Sequence, residues 1–281
     1  TKLFYLSLAS HASRAATFFK LQSAEILLTL DNNDLVIRSL EGIKDGDIFY
    51  LDTILHKVTA LHQNEQKDEA ERIIDKQLEK NFYSAELLKF YGNIQRNDLL
   101  YAEAILTYSK ALEAAEKEGN EKETWSILFL RGIAYERGKN WSSAEKDFIN
   151  ALQINPEQPQ VLNYMGYSLL ERKEKLDQAM RMIIKANEKA PNSYHIIDSL
   201  GWAFYKIGNF EEAHFHLERA MELESLDPIV NDHLGDILWK LNRKREARFQ
   251  WKKALNLDPD EKEVKKIKKK IKFGLIDKIP N

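Results

Sequence analysis

Apolar residues return along most of this chain at i, i+3, i+4 and i+7, the spacing of a helix that buries one face. The pattern is broken at regular intervals by small residues. Gly92, Gly132, Gly166, Gly201 and Gly235 lie 40, 34, 35 and 34 residues apart. Ala70, Ala104, Ala144, Ala179, Ala213 and Ala247 keep the same beat, and a second alanine follows seven residues after each of the last five, at Ala111, Ala151, Ala186, Ala220 and Ala254. Four places after each first alanine stands a large apolar residue: Ile74, Tyr108, Phe148, Ile183, Leu217 and Trp251. Three places after the glycine position comes another, Leu61, Tyr135, Leu169, Phe204 or Leu238, with Gln95 the exception. A period near 34 with two amphipathic stretches per period predicts an array of helix–turn–helix units. Glycine inside a helix costs about 1 kcal/mol relative to alanine, so its recurrence marks places where two backbones approach closely.

Turn residues fall where this reading needs them. Gly138-Lys139-Asn140, Ile207-Gly208-Asn209 and Leu241-Asn242-Arg243 separate paired helices, and glycine and asparagine tolerate positive φ there. Pro156, Pro191, Pro228 and Pro259 mark the junctions between units, where one helix stops and the next starts.

Asp198-Ser199-Leu200-Gly201-Trp202-Ala203-Phe204-Tyr205-Lys206, then Gly208-Asn209-Phe210-Glu211-Glu212-Ala213 and Leu217-Glu218-Arg219-Ala220, closely resemble the tetratricopeptide repeat. The resemblance is strong from about 125 to 260 and weaker but in phase from 51 to 118. It implies an all-α, right-handed helical-repeat solenoid. Six units are expected at about 51–84, 85–124, 125–158, 159–193, 194–227 and 228–260, followed by a lysine-rich capping helix and tail at 261–281. Val161 to Tyr167 and Asn231 to Asp236, with Glu246 to Trp251, also resemble a subgroup of bacterial envelope proteins best represented in alphaproteobacteria.

Three departures from the pattern carry expectations. Six extra polar residues between Ala111 and Gly132 imply longer helices or a longer loop. Val58 and Gln77 replace small residues in the unit at 51, which should pack more loosely. Residues 1–50 lose the phase and read as one or two degenerate units; near 12–16 and 41–50 the pattern implies either one long helix or a loop missing from the chain.

Composition narrows the function classes. The 281 residues carry a formal net charge of -2, so there is no global attraction to nucleic acid or anionic membrane. No cysteine is present, which removes disulfides, thiolate metal sites and cysteine nucleophiles. No apolar run approaches the roughly 18 residues of a membrane span. The first residue is Thr1, so an upstream signal or anchor is compatible with the chain; with one, the expected location is the bacterial envelope or periplasm, and without one the cytoplasm. Phosphate loops, dinucleotide fingerprints, nucleophile elbows and the zinc-protease His-Glu-x-x-His pattern are all absent. His214 and His216 point about 200° apart on a helix and cannot share an ion. His195 with Asp198, and His233 with Asp236, have the i, i+3 spacing of a helical surface pair. No catalytic residue, metal site or cofactor is expected.

The family resemblance implies a binding groove lined by the first helix of each unit. Carried onto this chain, that face holds Asn163, Tyr164 and Tyr167, then His195, Asp198, Trp202, Tyr205 and Lys206, then Asp232, His233, Asp236, Trp239 and Lys240, with Arg243 nearby. Aromatic rings between separated charges suit an extended peptide or partner helix of basic or mixed charge. The leading expectation is therefore a non-enzymatic scaffold for a protein or peptide partner. Alternatives are an assembly factor of the bacterial envelope and a binder of nucleic acid or anionic surfaces. The last would use the segment 261–281, which has eight lysines against three acidic residues.

Overall fold

The computed structural model describes residues 2–3, 5–6, 16–80 and 84–275. All regular structure among them is α-helical. The chain divides into two compact units, residues 1–154 and 155–281.

The first unit contains α1 (Ala16–Thr29), α2 (Asn33–Ser39), α3 (Tyr50–Gln63), α4 (Lys67–Glu79), α5 (Ser84–Asn97), α6 (Tyr101–Glu118), α7 (Glu121–Arg137) and α8 (Trp141–Ile154). The second contains α9 (Pro159–Arg172), α10 (Leu176–Lys189), α11 (Tyr194–Lys206), α12 (Phe210–Leu223), α13 (Pro228–Lys240), α14 (Lys244–Asn256) and α15 (Glu261–Phe273). In each unit consecutive helices pack as antiparallel hairpins, and the small residues sit where a hairpin closes. A methyl group on Gly92 would stand 2.6 Å from the Tyr108 ring, and one on Gly235 would overlap Trp251. Each glycine thus vacates the volume that the large residue of the facing helix fills. Tyr108, Phe148, Ile183, Leu217 and Trp251 are fully buried as a result.

The hairpin turns repeat as faithfully as the helices. Each holds a residue in the left-handed conformation, Asp31, Glu65, Leu99, Lys139, Lys173, Gly208 or Asn242, and the α9–α10 turn adds a second at Lys175. Gly138, whose position suggested that role, keeps a right-handed φ of -74° and leaves it to Lys139 at 66°. The turn is set by hydrogen bonding, with Asn140 N–H closing onto the Tyr135 carbonyl at 2.8 Å. Asn120, Asn209 and Asp227 cap the helices that follow them, and Pro228 opens α13 where no N–H is needed.

The six extra residues lengthen helices rather than a loop. α6 and α7 run for 18 and 17 residues, joined at Gly119 with φ 65°. Ala115 and Ile127 keep the extension buried. In the hairpin α3–α4, Val58 and Gln77 are buried, the Gln77 side-chain carbonyl oxygen has no partner among the described residues, and the two helices touch over a shorter stretch than in the five hairpins that follow. Upstream, α1 and α2 form a hairpin whose second helix has only seven residues. It closes over Leu21, Ala24, Leu27, Val36 and Leu40. Residues 41–49 form a non-helical connection in which the Asp47 carboxylate accepts from the Thr17 hydroxyl and the Phe49 N–H. The break suspected near 12–16 falls almost wholly outside the described residues.

Candidate groove of the second unit

The first helices of successive hairpins, α9, α11 and α13, are followed by α15 in the same row. A side chain on one of them therefore meets the side chain at the same register about 34 residues away. Glu171 on α9 accepts from the Trp202 indole N–H at 2.7 Å and pairs with Lys206 at 3.0 Å. Burial pushes the Glu171 carboxyl up, but these two donors outweigh it and hold it below the usual carboxylate range. The Trp202 ring stacks between Tyr205, at 4.6 Å, and His233, at 4.0 Å, with the Lys206 ammonium 5.0 Å from its centroid.

Beneath this half-exposed layer lies a buried one. His233 Nδ1 is 2.9 Å from Asp198 Oδ1. Lys270, on α15, donates to Asp232 Oδ2 at 2.7 Å and to Asp236 Oδ2 at 2.9 Å. The other Asp236 oxygen accepts from the Trp251 indole N–H at 2.9 Å. Burial pulls the Lys270 ammonium down, and the two aspartates more than offset it, so its pKa is raised. Asp236 moves up because burial disfavours its charge more strongly than Lys270 supports it.

Asp198, Asp232, His233 and Asp236 were expected at the groove surface. They are only 7%, 8%, 8% and 4% exposed. The i, i+3 reading also misplaced their partners: His233 pairs with Asp198 one repeat back rather than with Asp236 on its own helix. Trp239 and Arg243 stand apart from the row. Trp239 packs on Trp251 at 5.4 Å with the Arg248 guanidinium 4.9 Å from its ring, and Arg243 pairs with Glu246 and donates to His214 Nε2. His195 is exposed at the start of α11, Lys240 is half-buried, and Tyr164 and Asn163 are half-buried on α9, where the Asn163 side-chain carbonyl has no partner among the described residues. Tyr167 is half-buried near Glu171 and Asp198, and its phenol is raised by burial and by those carboxylates. Glu171 and Lys270 were missed from the sequence. Lys270 carried a signal, because it stands three residues after Ile267 on the face that α15 buries.

The histidine–aspartate pair gives the unit a pH signature. Burial lowers the His233 pKa, and Asp198 with the neighbouring Asp232 and Asp236 raises it further than burial lowers it. Its stabilising effect is complete below the unfolded pKa of about 6.5 and is lost as pH rises through the higher folded value. Thermal unfolding measured from pH 6 upward should show a falling melting temperature that His233→Gln flattens. Parallel slopes for the two proteins would refute the assignment.

Elsewhere, in the first unit, Arg131 is held by both oxygens of Asp147 at 2.7 and 2.9 Å and donates to the Ser109 hydroxyl. It lines a cleft of about 520 Å³ with Glu116, Thr124, Lys146 and Asn150. The guanidinium is committed to Asp147, so it serves packing there. His214 and His216 face different neighbours: His214 faces Glu218, and His216 stacks on Phe204. Among the described residues no group of three or more His, Asp or Glu is placed to hold a metal ion.

Comparison with known proteins places this architecture. Models of the tetratricopeptide repeat match residues 101–161 and 230–261. A tetratricopeptide repeat-containing protein of Pseudomonas aeruginosa is 30% identical over 142 residues, covering 49% of this chain and 24% of that protein. Anaphase-promoting complex subunit 3 of Schizosaccharomyces pombe is 26% identical over 150 residues, covering 53% and 22%. The matched part is thus under a quarter of either relative's length. Among solved structures, a tetratricopeptide repeat protein from Parabacteroides merdae shares the fold with a TM-score of 0.64 at 15% identity, over 90% of this chain and 96% of that one. Pseudomonas aeruginosa pilF does so at 0.56 and 17%, over 66% and 81%. The repeated glycine–aromatic closures, the hairpin order and these matches agree: the chain carries tetratricopeptide repeats, matched by the family's models at 101–161 and 230–261, within a fold shared with tetratricopeptide repeat structures.

Proposed function

We propose that this protein is a non-catalytic interaction scaffold whose second unit receives an extended peptide or a partner helix along α9, α11 and α13. One observation carries the reading. Tyr167, Glu171, Trp202, Tyr205 and Lys206 form a partly exposed row of rings and charges, held from below by a buried layer whose charges face one another. The buried aspartates position the row and leave recognition to the residues above them. Rigid rings supply contact area at little entropic cost, and the Glu171–Lys206 pair fixes register and direction. The repeat architecture favours this use, because stacked hairpins hold many weak contacts in fixed order.

The test is selection from a random peptide library followed by a charge swap. Peptides selected on the native protein should shift amide resonances of α9 and α11. They should bind the Glu171→Lys, Lys206→Glu double variant at least about tenfold more weakly, the scale of about 1.4 kcal/mol. Undiminished binding to a folded swap variant, or resonance shifts confined to other helices, would remove the groove from consideration.

A further inference from the structure

We infer that the outer face of α15 is a docking strip for a surface of anionic lipid headgroups. The helix carries seven lysines in thirteen residues. Lys270 is spent on Asp232 and Asp236, and Ile267 is buried in the core of the second unit with Ile271 packed beside it. The remaining six, Lys262, Lys265, Lys266, Lys268, Lys269 and Lys272, are all exposed. At 3.6 residues per turn they fall within about 160° of the helix circumference, opposite the apolar face. Lys266 is paired with Glu263. Lys262, Lys265, Lys268 and Lys269 have no ion pair among the described residues.

A terminal helix needs a polar outer face, but solubility does not require a single sign of charge. The outer residues of α10 show the mixed alternative, with Asp177, Arg181, Glu188 and Lys189 interspersed. In a chain with 42 basic and 44 acidic residues, α15 is a place where the signs segregate. Arg245 and Lys252, exposed on the adjoining α14, add to the basic character of this end.

Three features select a lipid surface over a nucleic acid. The strip contains lysine and no arginine, so it lacks the planar fork that reads bases. It contains one aromatic residue, too few for a platform that stacks successive bases. That residue, Phe273, is 58% exposed within the lysine arc, with the Lys272 ammonium 5.0 Å from its ring. An exposed apolar ring beside an ammonium group suits the boundary between headgroups and acyl chains. The apolar face of α15 is already buried in its own unit, so the contact is adsorption by charge with a single shallow anchor. Each lysine near such a surface contributes about a factor of five to ten in partitioning at physiological salt.

The experiment is flotation of the full chain with vesicles of phosphatidylcholine alone and of phosphatidylcholine with phosphatidylglycerol, at low and high salt. Binding is expected only to the anionic vesicles and should fade as salt rises. Combining Lys262→Gln, Lys265→Gln, Lys268→Gln and Lys269→Gln should reduce it on the order of 1,000-fold. A second reading does not depend on that variant. The chain has no cysteine, so Phe273→Cys gives one unique site for an environment-sensitive dye, whose emission should shift to the blue on anionic vesicles alone. No binding to anionic vesicles at low salt, equal binding to both lipids, or an unshifted dye would overturn the inference. So would retention on single- or double-stranded DNA without vesicle binding. The Glu171→Lys, Lys206→Glu variant should still float, which separates this strip from the peptide groove.

Discussion

Replacing Lys270 with methionine is expected to destabilise the second unit by about 3–5 kcal/mol. The ammonium sits between two carboxylates that are 8% and 4% exposed, and among the described residues it is the cation that pairs with both. Methionine fills similar volume, so the loss measures charge rather than packing. Urea unfolding at pH 7 should report it directly, and hydrogen exchange should show the amides of α15 opening first. Adding Asp232→Asn and Asp236→Asn to the same protein should recover most of the loss, because neutral amides no longer demand a counter-ion. The pH dependence has a defined sign. Asp236 already binds its proton more tightly than an exposed carboxyl, and losing Lys270 removes the group that opposes this. The variant should therefore recover stability as pH falls toward the carboxylate range, where that aspartate goes neutral. A loss under about 1 kcal/mol at pH 7 would mean that water reaches these carboxylates.

Trp251→Ala is expected to cost about 3–5 kcal/mol. The side chain is fully buried, touches the Trp239 ring, fills the space left by Gly235 and donates to Asp236. Trp251→Phe keeps one of the two fused rings and loses the donor, so it should cost about 1–3 kcal/mol, from a buried acceptor left unmet and from the lost volume. The complementary change is Gly235→Ala. Helix propensity alone would stabilise it by about 1 kcal/mol. The overlap with a tryptophan pinned on two sides should reverse the sign, for a net loss of about 1–3 kcal/mol. If thermal unfolding shows Gly235→Ala to be stabilising, the glycine is not there for close approach.

The repeat itself was open to sequence reading because its cause is volume. A glycine opposite Tyr108 or Trp251 leaves a mark at fixed spacing, since each hairpin must solve the same packing problem. The extra residues before α7 were visible as an insertion. Only the continued burial of Ala115 and Ile127 decided for longer helices. The left-handed turn position was harder, because hydrogen-bond geometry assigns it to Lys139 even with Gly138 next door. The electrostatics were largely hidden. Pairing within a helix is the habit of sequence reading, and it suggested His195 with Asp198 and His233 with Asp236. In a stack of hairpins the relevant neighbour is one period away. Asp198 and His233, 35 residues apart, could have been joined on that ground. Asp232 and Asp236 needed a partner from α15, a helix outside the repeat pattern.

Repeat arrays are often treated as strings of exchangeable bricks. The seat for Lys270 limits that freedom. Asp232 and Asp236 stand three residues before and one after Gly235; the same places around Gly201 hold Asp198 and Trp202. Excising the α13–α14 hairpin would keep the backbone in phase and bring α15 down onto α11. The lysine would then meet one carboxylate and an indole instead of two carboxylates, and His233, the partner of Asp198, would have left with the excised hairpin. Shape makes these bricks interchangeable, but charge gives each one its place in the row.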